Sequence, residues 1–303
     1  MIYLRSFELV NSCEEDKFIV QYNREKPISM MTCYLNDPYP FNFFPQKNIS
    51  GFDFSDITML YGMNGSGKST VLNIISEKLG VAKNPLFNYT PYYEEYLKMC
   101  EYKLDLHTTR VPANSRLIRS DDVFDYMLDI RAVNTGVDND RQRMFDEYNI
   151  RRNVDGKNYY QLSSLDDYEE LKERNYAKHH SKSEYTRRHG LVQNVRTVSN
   201  GEAAFDFFSS AITENALYLL DEPENSLSPR LQMRLAKYIE EASRFYGSQF
   251  IIATHSPFLL SMKGVRIYDL DSIEPCIPKK WTELGNVREY YALFKSHEKE
   301  FEV

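Results

Sequence analysis

The sequence predicts an α/β fold built on a mostly parallel sheet flanked by helices. Three observations carry that prediction. A short apolar strand runs straight into a glycine-rich loop and then a helix. A second apolar strand ends in two adjacent acids. A third strand follows the second after one amphipathic helix and short links, which is a βαβ unit and implies parallel pairing.

From the N-terminus, residues Ile2 to Val10 alternate apolar and polar, as a strand does. Residues 12–50 are rich in turn formers and aromatics, and Pro38, Pro40 and Pro45 break any long element, so short strands and loops are expected. Ile57-Thr58-Met59-Leu60-Tyr61 is the strand before the loop. From Lys68 to Leu79, the apolar residues Val71, Leu72, Ile74, Ile75 and Leu79 recur at helical spacing, and Gly80 stops the helix. The pattern weakens from about 81 to 195, where Ser120-Asp121-Asp122 reads as a helix start and residues 140–190 are charged and Tyr-rich. No heptad pattern persists there, so no long coiled coil is expected, and no repeat is visible. Ala216 to Leu220 is the acid strand. Ser228 can cap a helix whose first turn holds Pro229. Its apolar face is Leu231, Leu235, Tyr238, Ile239, Ala242 and Phe245, and Gly247 ends it. Gln249 to Thr254 is the third strand.

Bulk properties narrow the class. A hydrophobic share of 42% and 23 Tyr with 18 Phe in 303 residues support a sizeable core. A net charge of −7 argues against nucleic-acid binding by bulk charge. Cys13, Cys33, Cys100 and Cys276 are scattered, without the close spacing of a zinc site or disulfide scaffold, so reduced thiols of a cytoplasmic protein are expected. The N-terminus has no charged segment followed by an apolar one, and no run reaches the roughly 18 apolar residues of a membrane span.

The chemistry concentrates in two places. Gly62-Met63-Asn64-Gly65-Ser66-Gly67-Lys68-Ser69 fits the phosphate-binding pattern G-x-x-x-x-G-K-[ST], between a strand and a helix. Its glycines let backbone N–H groups turn toward phosphate oxygens, and the helix N-terminus adds partial positive charge. Lys68 would reach the β- and γ-phosphates of ATP, and the Ser69 hydroxyl would ligate Mg2+. Asp221 and Glu222 end the acid strand, where open α/β sheets bind ligands. Asp221 is expected in the magnesium shell, and Glu222 is expected to polarise the attacking water. His255 follows the strand expected beside Glu222 and would donate a hydrogen bond to the γ-phosphate.

The order of these motifs resembles that of ABC-type P-loop ATPases, nearer the soluble SMC/Rad50-like branch than transporters. It is similar to compact bacterial AAA/ABC ATPases without coiled-coil arms. The residues that carry the resemblance are Asn64 to Thr70, Val198-Ser199-Asn200-Gly201-Glu202, Leu219 to Pro229, and Ile251 to Pro257. The match is dense over about 55–80 and 196–270 and thin over 81–195. The resemblance implies an ABC-type head over residues 1–303 with an N-terminal antiparallel β layer and a variable inserted lobe at 81–195. It also implies a homodimer formed on ATP binding, in which Ser199 and Gly201 of one subunit cap the γ-phosphate held by the other. Read alone, Ser-Asn-Gly-Glu is equally a plain helix cap. Asn200 and Glu202 stand where the family signature has Gly and Gln, and no Asp closes the segment after Leu227. The family's magnesium-contacting glutamine has no clear counterpart; Arg119 to Asp122 matches it only by position. No residue is clearly placed to stack on adenine.

Arg174, Lys178, His179, His180, Lys182, Arg187, Arg188 and His189, with Tyr176 and Tyr185 between them, suit phosphate and base contacts. A solvated surface segment is the favoured reading, since Asp166, Asp167, Glu169 and Glu170 dilute the field of the run. Two functional readings follow. The chain is an ATP-hydrolysing dimeric switch in DNA-related or genome-defence processes, or a nucleotide-dependent scaffold that restrains a protein effector such as a nuclease. A transporter subunit fits less well, because a full signature and a clear glutamine loop are missing.

Overall fold

The computed structural model describes residues 1–25, 39–84, 92–153, 165–191, 193–194 and 199–301. Cys33 and Val198 lie outside them. The alternating N-terminus forms β1 (Leu4–Glu8), which pairs antiparallel with β2 (Gly51–Asp53). The unbroken apolar run Ile57–Tyr61 forms β3, and all five residues are buried, as a strand covered on both faces requires. β4 (Glu101–Leu104) joins the other edge of β1, giving an antiparallel sheet of order β2-β1-β4.

The remaining strands are β5 (Arg116–Arg119), β6 (Leu217–Asp221), β7 (Gln249–Ala253), β8 (Arg266–Asp269) and β9 (Pro278–Lys279). They join β3 in a six-stranded sheet of order β5-β6-β7-β3-β8-β9, parallel throughout except for β9. Register fixes the site. Leu60 and Asp221 both lie opposite Ala253, so Tyr61, Glu222 and Thr254 leave the sheet at one level. One buried side chain ties the two sheets together. Gln249 accepts from the N–H groups of Tyr3 and Leu4 at 2.8 and 2.9 Å and donates to the carbonyls of Leu4 and Ser55. Its amide is thereby satisfied, as burial demands.

Residues 12–25 correct the sequence reading. Short strands and loops were expected, and the chain forms a helix, α1 (Ser12–Glu25). Asn11 starts it: its side-chain and backbone oxygens accept from Glu14 N–H at 3.0 and 3.1 Å, and Glu14 and Glu15 sit in the favourable first turn. The prolines that suggested breaks lie downstream of it. α2 (Phe43–Gln46) is a single turn. α3 (Lys68–Leu79) begins and ends where the motif and Gly80 require, and buries Val71, Leu72, Ile74 and Ile75. α4 (Tyr93–Met99) buries Tyr93 and Tyr96.

Contacts divide the chain into two units, Met1–Phe124 with Asn200–Val303, and Asp125–Ser199. The second consists of α5 (Ser120–Asn153) beyond its first turn, α6 (Leu165–His179) and α7 (Lys182–Arg188). α5 is a continuous helix of 34 residues in a stretch where the sequence pattern is weak. Its exposed surface carries i,i+3 pairs, Arg141–Asp138 and Arg143–Asp140, which suit a helix polar around much of its circumference. Tyr148, Ala177 and Tyr185 form this unit's small core.

In the first unit α8 (Asn200–Ala211) and α9 (Pro229–Phe245) pack on one another, and α9 buries Leu235, Ala236, Ile239 and Ala242. Two details differ from the sequence reading. Phe245 is 69% exposed, so the apolar face ends at Ala242. Ser228 occupies the cap position without a side-chain capping bond. α10 (Pro257–Leu260) and α11 (Gly285–Ser296) follow β7 and β9. Cys13, Cys100 and Cys276 are free thiols, and among the described residues no helix is long and apolar enough to cross a membrane.

Candidate active site

β3 delivers the phosphate-binding loop and α3 receives it. Gly67, at φ +100°, caps α3 in a conformation that L side chains rarely adopt, and a Cβ there would lie 2.6 Å from the Phe43 ring. The loop is held from outside by Asp271, whose Oδ2 accepts from the Met63 N–H at 2.5 Å. Lys47 donates to the carbonyl of Gly65 at 3.2 Å, and the Tyr39 hydroxyl bonds the Thr70 hydroxyl. Asn64 and Gly65 are exposed, and Ser66 is buried behind them.

Lys68 is 4% exposed. Its Nζ donates to the carbonyls of Gly62 and Met63 at 2.7 and 3.1 Å and lies 3.8 Å from Glu222 Oε1. One residue on, the Ser69 hydroxyl donates to Asp221 Oδ1 at 2.9 Å. The loop and the acid strand therefore meet directly, although 152 residues separate them in sequence. Burial pushes the Asp221 carboxyl up to about 6, opposed by the Ser69 hydrogen bond and reinforced by neighbouring Glu222; Arg119 and Lys68 pull it back only in part. A buried carboxylate short of positive charge, bonded to a hydroxyl, is a fitting oxygen donor set for a magnesium ion.

Glu222 adopts the left-handed conformation at φ 48°, which turns the chain sharply out of β6. Its N–H donates to the carbonyl of Ala253, and its Oε2 accepts from Asn225 at 3.0 Å. His255, beyond β7, is 42% exposed at its side chain. Its neighbour across the turn is Glu224, which sequence reasoning left without a role. Glu224 is 5% exposed, and its Oε1 accepts from the Thr254 hydroxyl at 2.7 Å and the His255 N–H at 2.8 Å. The signal was the third acid in Asp221-Glu222-Pro223-Glu224; its partners, some 30 residues later, could not be read from spacing. Beside His255 lies a cavity of about 840 Å3 with a largely aromatic wall that includes Phe258, Trp281, Tyr290 and Phe294.

The site gathers Lys68, Ser69, Asp221 and Glu222, with His255 on the adjoining strand end. Ser199 and Gly201 stand instead at the start of α8, where Gly201 packs on α9 so closely that a Cβ would lie 2.7 Å from Leu231 Cδ1. Arg119, the positional counterpart of the missing glutamine, ends β5 opposite Asp221 and bonds the Asn73 side chain. Asp122 accepts from the Arg119 N–H at 2.9 Å. Within residues 125–199 the basic run is tied into its own unit: Arg188 and His189 meet Glu173 at 3.0 and 3.1 Å, and Arg174 meets Glu170 at 2.6 Å.

Comparison with known proteins gives three findings. The family model described as "AAA domain, putative AbiEii toxin, Type IV TA system" matches residues 100–261, a span that holds Ser199, Asp221, Glu222 and His255. No curated protein matches the chain. Among solved structures it is similar to Stu0660 of Streptococcus thermophilus, at 16% identity and TM-score 0.39, covering 80% of this chain and 75% of that one. It is also similar to the SMC head domain from Thermotoga maritima, at 13% identity and TM-score 0.34, covering 88% and 94%. The Smc head domain from Pyrococcus furiosus, solved with the C-terminal domain of ScpA, aligns at 14% identity and TM-score 0.40, covering 96% and 100%.

Proposed function

This chain belongs to the AAA-domain family whose model covers its residues 100–261, and on that premise we propose that it binds magnesium–ATP and hydrolyses it with Glu222 and His255. Its head is an ABC- and SMC-like P-loop ATPase. The observation that carries the proposal is the 2.9 Å bond between Ser69 and Asp221, with the Lys68 ammonium 3.8 Å from Glu222. Those four side chains bring the loop and two acids together in one place, with Lys68 and Asp221 buried.

In this reading the amides of Asn64, Gly65, Ser66 and Gly67, with Thr70 at the start of α3, hold the phosphates, and Lys68 exchanges its loop carbonyls for phosphate oxygens. Ser69 and Asp221 would hold the magnesium ion, which neutralises phosphate charge when bound. Glu222 orients a water and accepts its proton as the oxygen attacks the γ-phosphorus and the bond to the β–γ bridging oxygen breaks, so that ADP leaves with that oxygen and phosphate is released. His255 donates to a γ-phosphate oxygen. Ser199 and Gly201 act on the nucleotide of a second copy, so the complete site is shared by a homodimer that ATP closes. The scattered free thiols support a cytoplasmic setting. The family description supports a role in genome defence.

A second reading is a scaffold that restrains a protein effector and turns over little ATP. It rests on the altered signature at Asn200 and Glu202 and the missing Asp after Leu227. ATP turnover per subunit, measured across protein concentrations with Lys68→Ala as the blank, separates the two. The shared-site reading predicts specific activity that rises with concentration and a loss of about 10²-fold or more in Lys68→Ala. Turnover no higher than the blank, with ATP still bound, would favour the scaffold.

A further inference from the structure

The proposed switch residue His255 sits on a turn that is held almost wholly by one buried side chain. Glu224 Oε1 accepts three donors from that turn, the Thr254 hydroxyl at 2.7 Å, the His255 N–H at 2.8 Å and the Ser256 N–H at 3.2 Å, and the His255 ring Nδ1 lies 3.3 Å from it. Its other oxygen, Oε2, is buried without a hydrogen-bond partner among the described residues. A carboxylate 5% exposed at that position is costly unless those donors compensate it, so the arrangement is strongly held in one geometry. A second bridge runs beside it. The Ser256 hydroxyl donates to Gln232 Oε1 at 2.6 Å, and Gln232 Nε2 donates to the carbonyl of Leu227 at 2.9 Å. Leu227 immediately precedes the position where the closing Asp of related sequences is missing, and Glu224 lies two residues beyond Glu222 in the same turn.

We infer that Glu224, supported by Gln232, is the positioning residue for His255, and that the pair physically joins the Glu222 turn to the His255 turn. The inference rests on the catalytic reading of His255 for its consequence and on geometry alone for the clamp. With Nδ1 lying 3.3 Å from Glu224, the ring has its Nε2 edge left to meet the nucleotide. Because Glu224 and Glu222 share one turn, a shift of the acid strand end carries His255 with it. The Gln232 bridge does the same for the segment around Leu227.

The test uses the full chain and two readouts. In nucleotide-free protein, long-range ¹H–¹⁵N spectra of the His255 ring report which nitrogen carries the proton. The clamp predicts a single, fixed ring signature in the wild type that is lost in Glu224→Ala. Glu224→Gln keeps a carbonyl oxygen for Thr254 and the two backbone N–H groups but removes the charge facing Nδ1, so its ring signals shift while the protein stays folded. For turnover, a misplaced catalytic group costs up to about 10²-fold, so Glu224→Gln is expected to lower kcat about 10-fold with KM within twofold. In a His255→Ala background the same substitution is expected to change kcat less than twofold, since it acts through a ring no longer present. Unchanged ring signals in Glu224→Gln, or additive losses of kcat in the double variant, would overturn the inference. Absence of turnover in the wild type would sink the catalytic reading and leave the spectra to decide the clamp. Should Glu224→Ala not fold, Glu224→Gln and Gln232→Ala carry both readouts.

Discussion

Around the ends of β6 and β7, Lys68, Asp221 and Glu224 are each less than a tenth exposed, and carboxylates outnumber the cations that face them. In residues 125–199 the balance is reversed: the single carboxylate of Glu173 meets Arg151, Arg188 and His189. Arg188 also lies over the Tyr176 ring at 4.2 Å, and the ring of Tyr185 stands edge-on to Tyr148. Both regions are charged in sequence, and in the first the burial of the Asp221 carboxylate is only partly offset by Arg119 and Lys68. Uncompensated buried charge is what a site that awaits a cation and a polyphosphate must hold, and it costs stability. Charge satisfied within its own unit does structural work and leaves little field for a ligand.

The comparison breaks most visibly at Asp221. Asp221→Asn is expected to lower ATP turnover by about 10²–10³-fold while making the nucleotide-free protein more stable. The sign follows from burial. The folded carboxyl titrates near 6, above its unfolded value, so the ionised side chain weakens the fold at high pH and the penalty shrinks as pH falls through 6 toward 4. Thermal melts should show a gain of about 1–2 kcal/mol at pH 8 that fades over that range. A loss of stability at pH 8 would mean the carboxylate is already compensated.

Glu173→Ala sharpens the other half. It strips the shared partner from Arg151, Arg188 and the His189 ring and should weaken residues 125–199 by about 1–3 kcal/mol. Faster amide exchange in α7 is the readout, with ATP turnover changed less than twofold. Equal exchange rates would show that the tyrosine core alone holds this unit. The smallest effect is expected at Arg143→Ala, whose partner Asp140 is more than half exposed; denaturant melts should move by no more than about 0.5 kcal/mol.

The site was legible where chemistry demands fixed spacing. Gly65 to Ser69 must be contiguous to wrap a phosphate, and Asp221 and Glu222 must end a strand, so both could be placed from local pattern. β3, β6, β7 and α3 were legible because buried parallel strands and their helix have strong periodicity. α1 was not, because its capping residue Asn11 and its acidic first turn were outweighed by the prolines that follow. The start of α5 was legible at Ser120-Asp121-Asp122, but its length was not, because a helix with little apolar stripe leaves no periodic signal. Glu224 and Gln232 escaped for a different reason. Their partners lie 24 to 32 residues away in sequence, and no spacing rule connects a buried carboxylate to a turn on the next strand.

The most direct test of the central claim is a single substitution, Glu222→Gln, followed by incubation with magnesium and radiolabelled ATP and then gel filtration. The account predicts that the variant folds, retains unhydrolysed ATP, and elutes as a dimer, with turnover down by about 10²–10³-fold. Hydrolysis at the wild-type rate, or ATP-bound protein that elutes as a monomer, would contradict it.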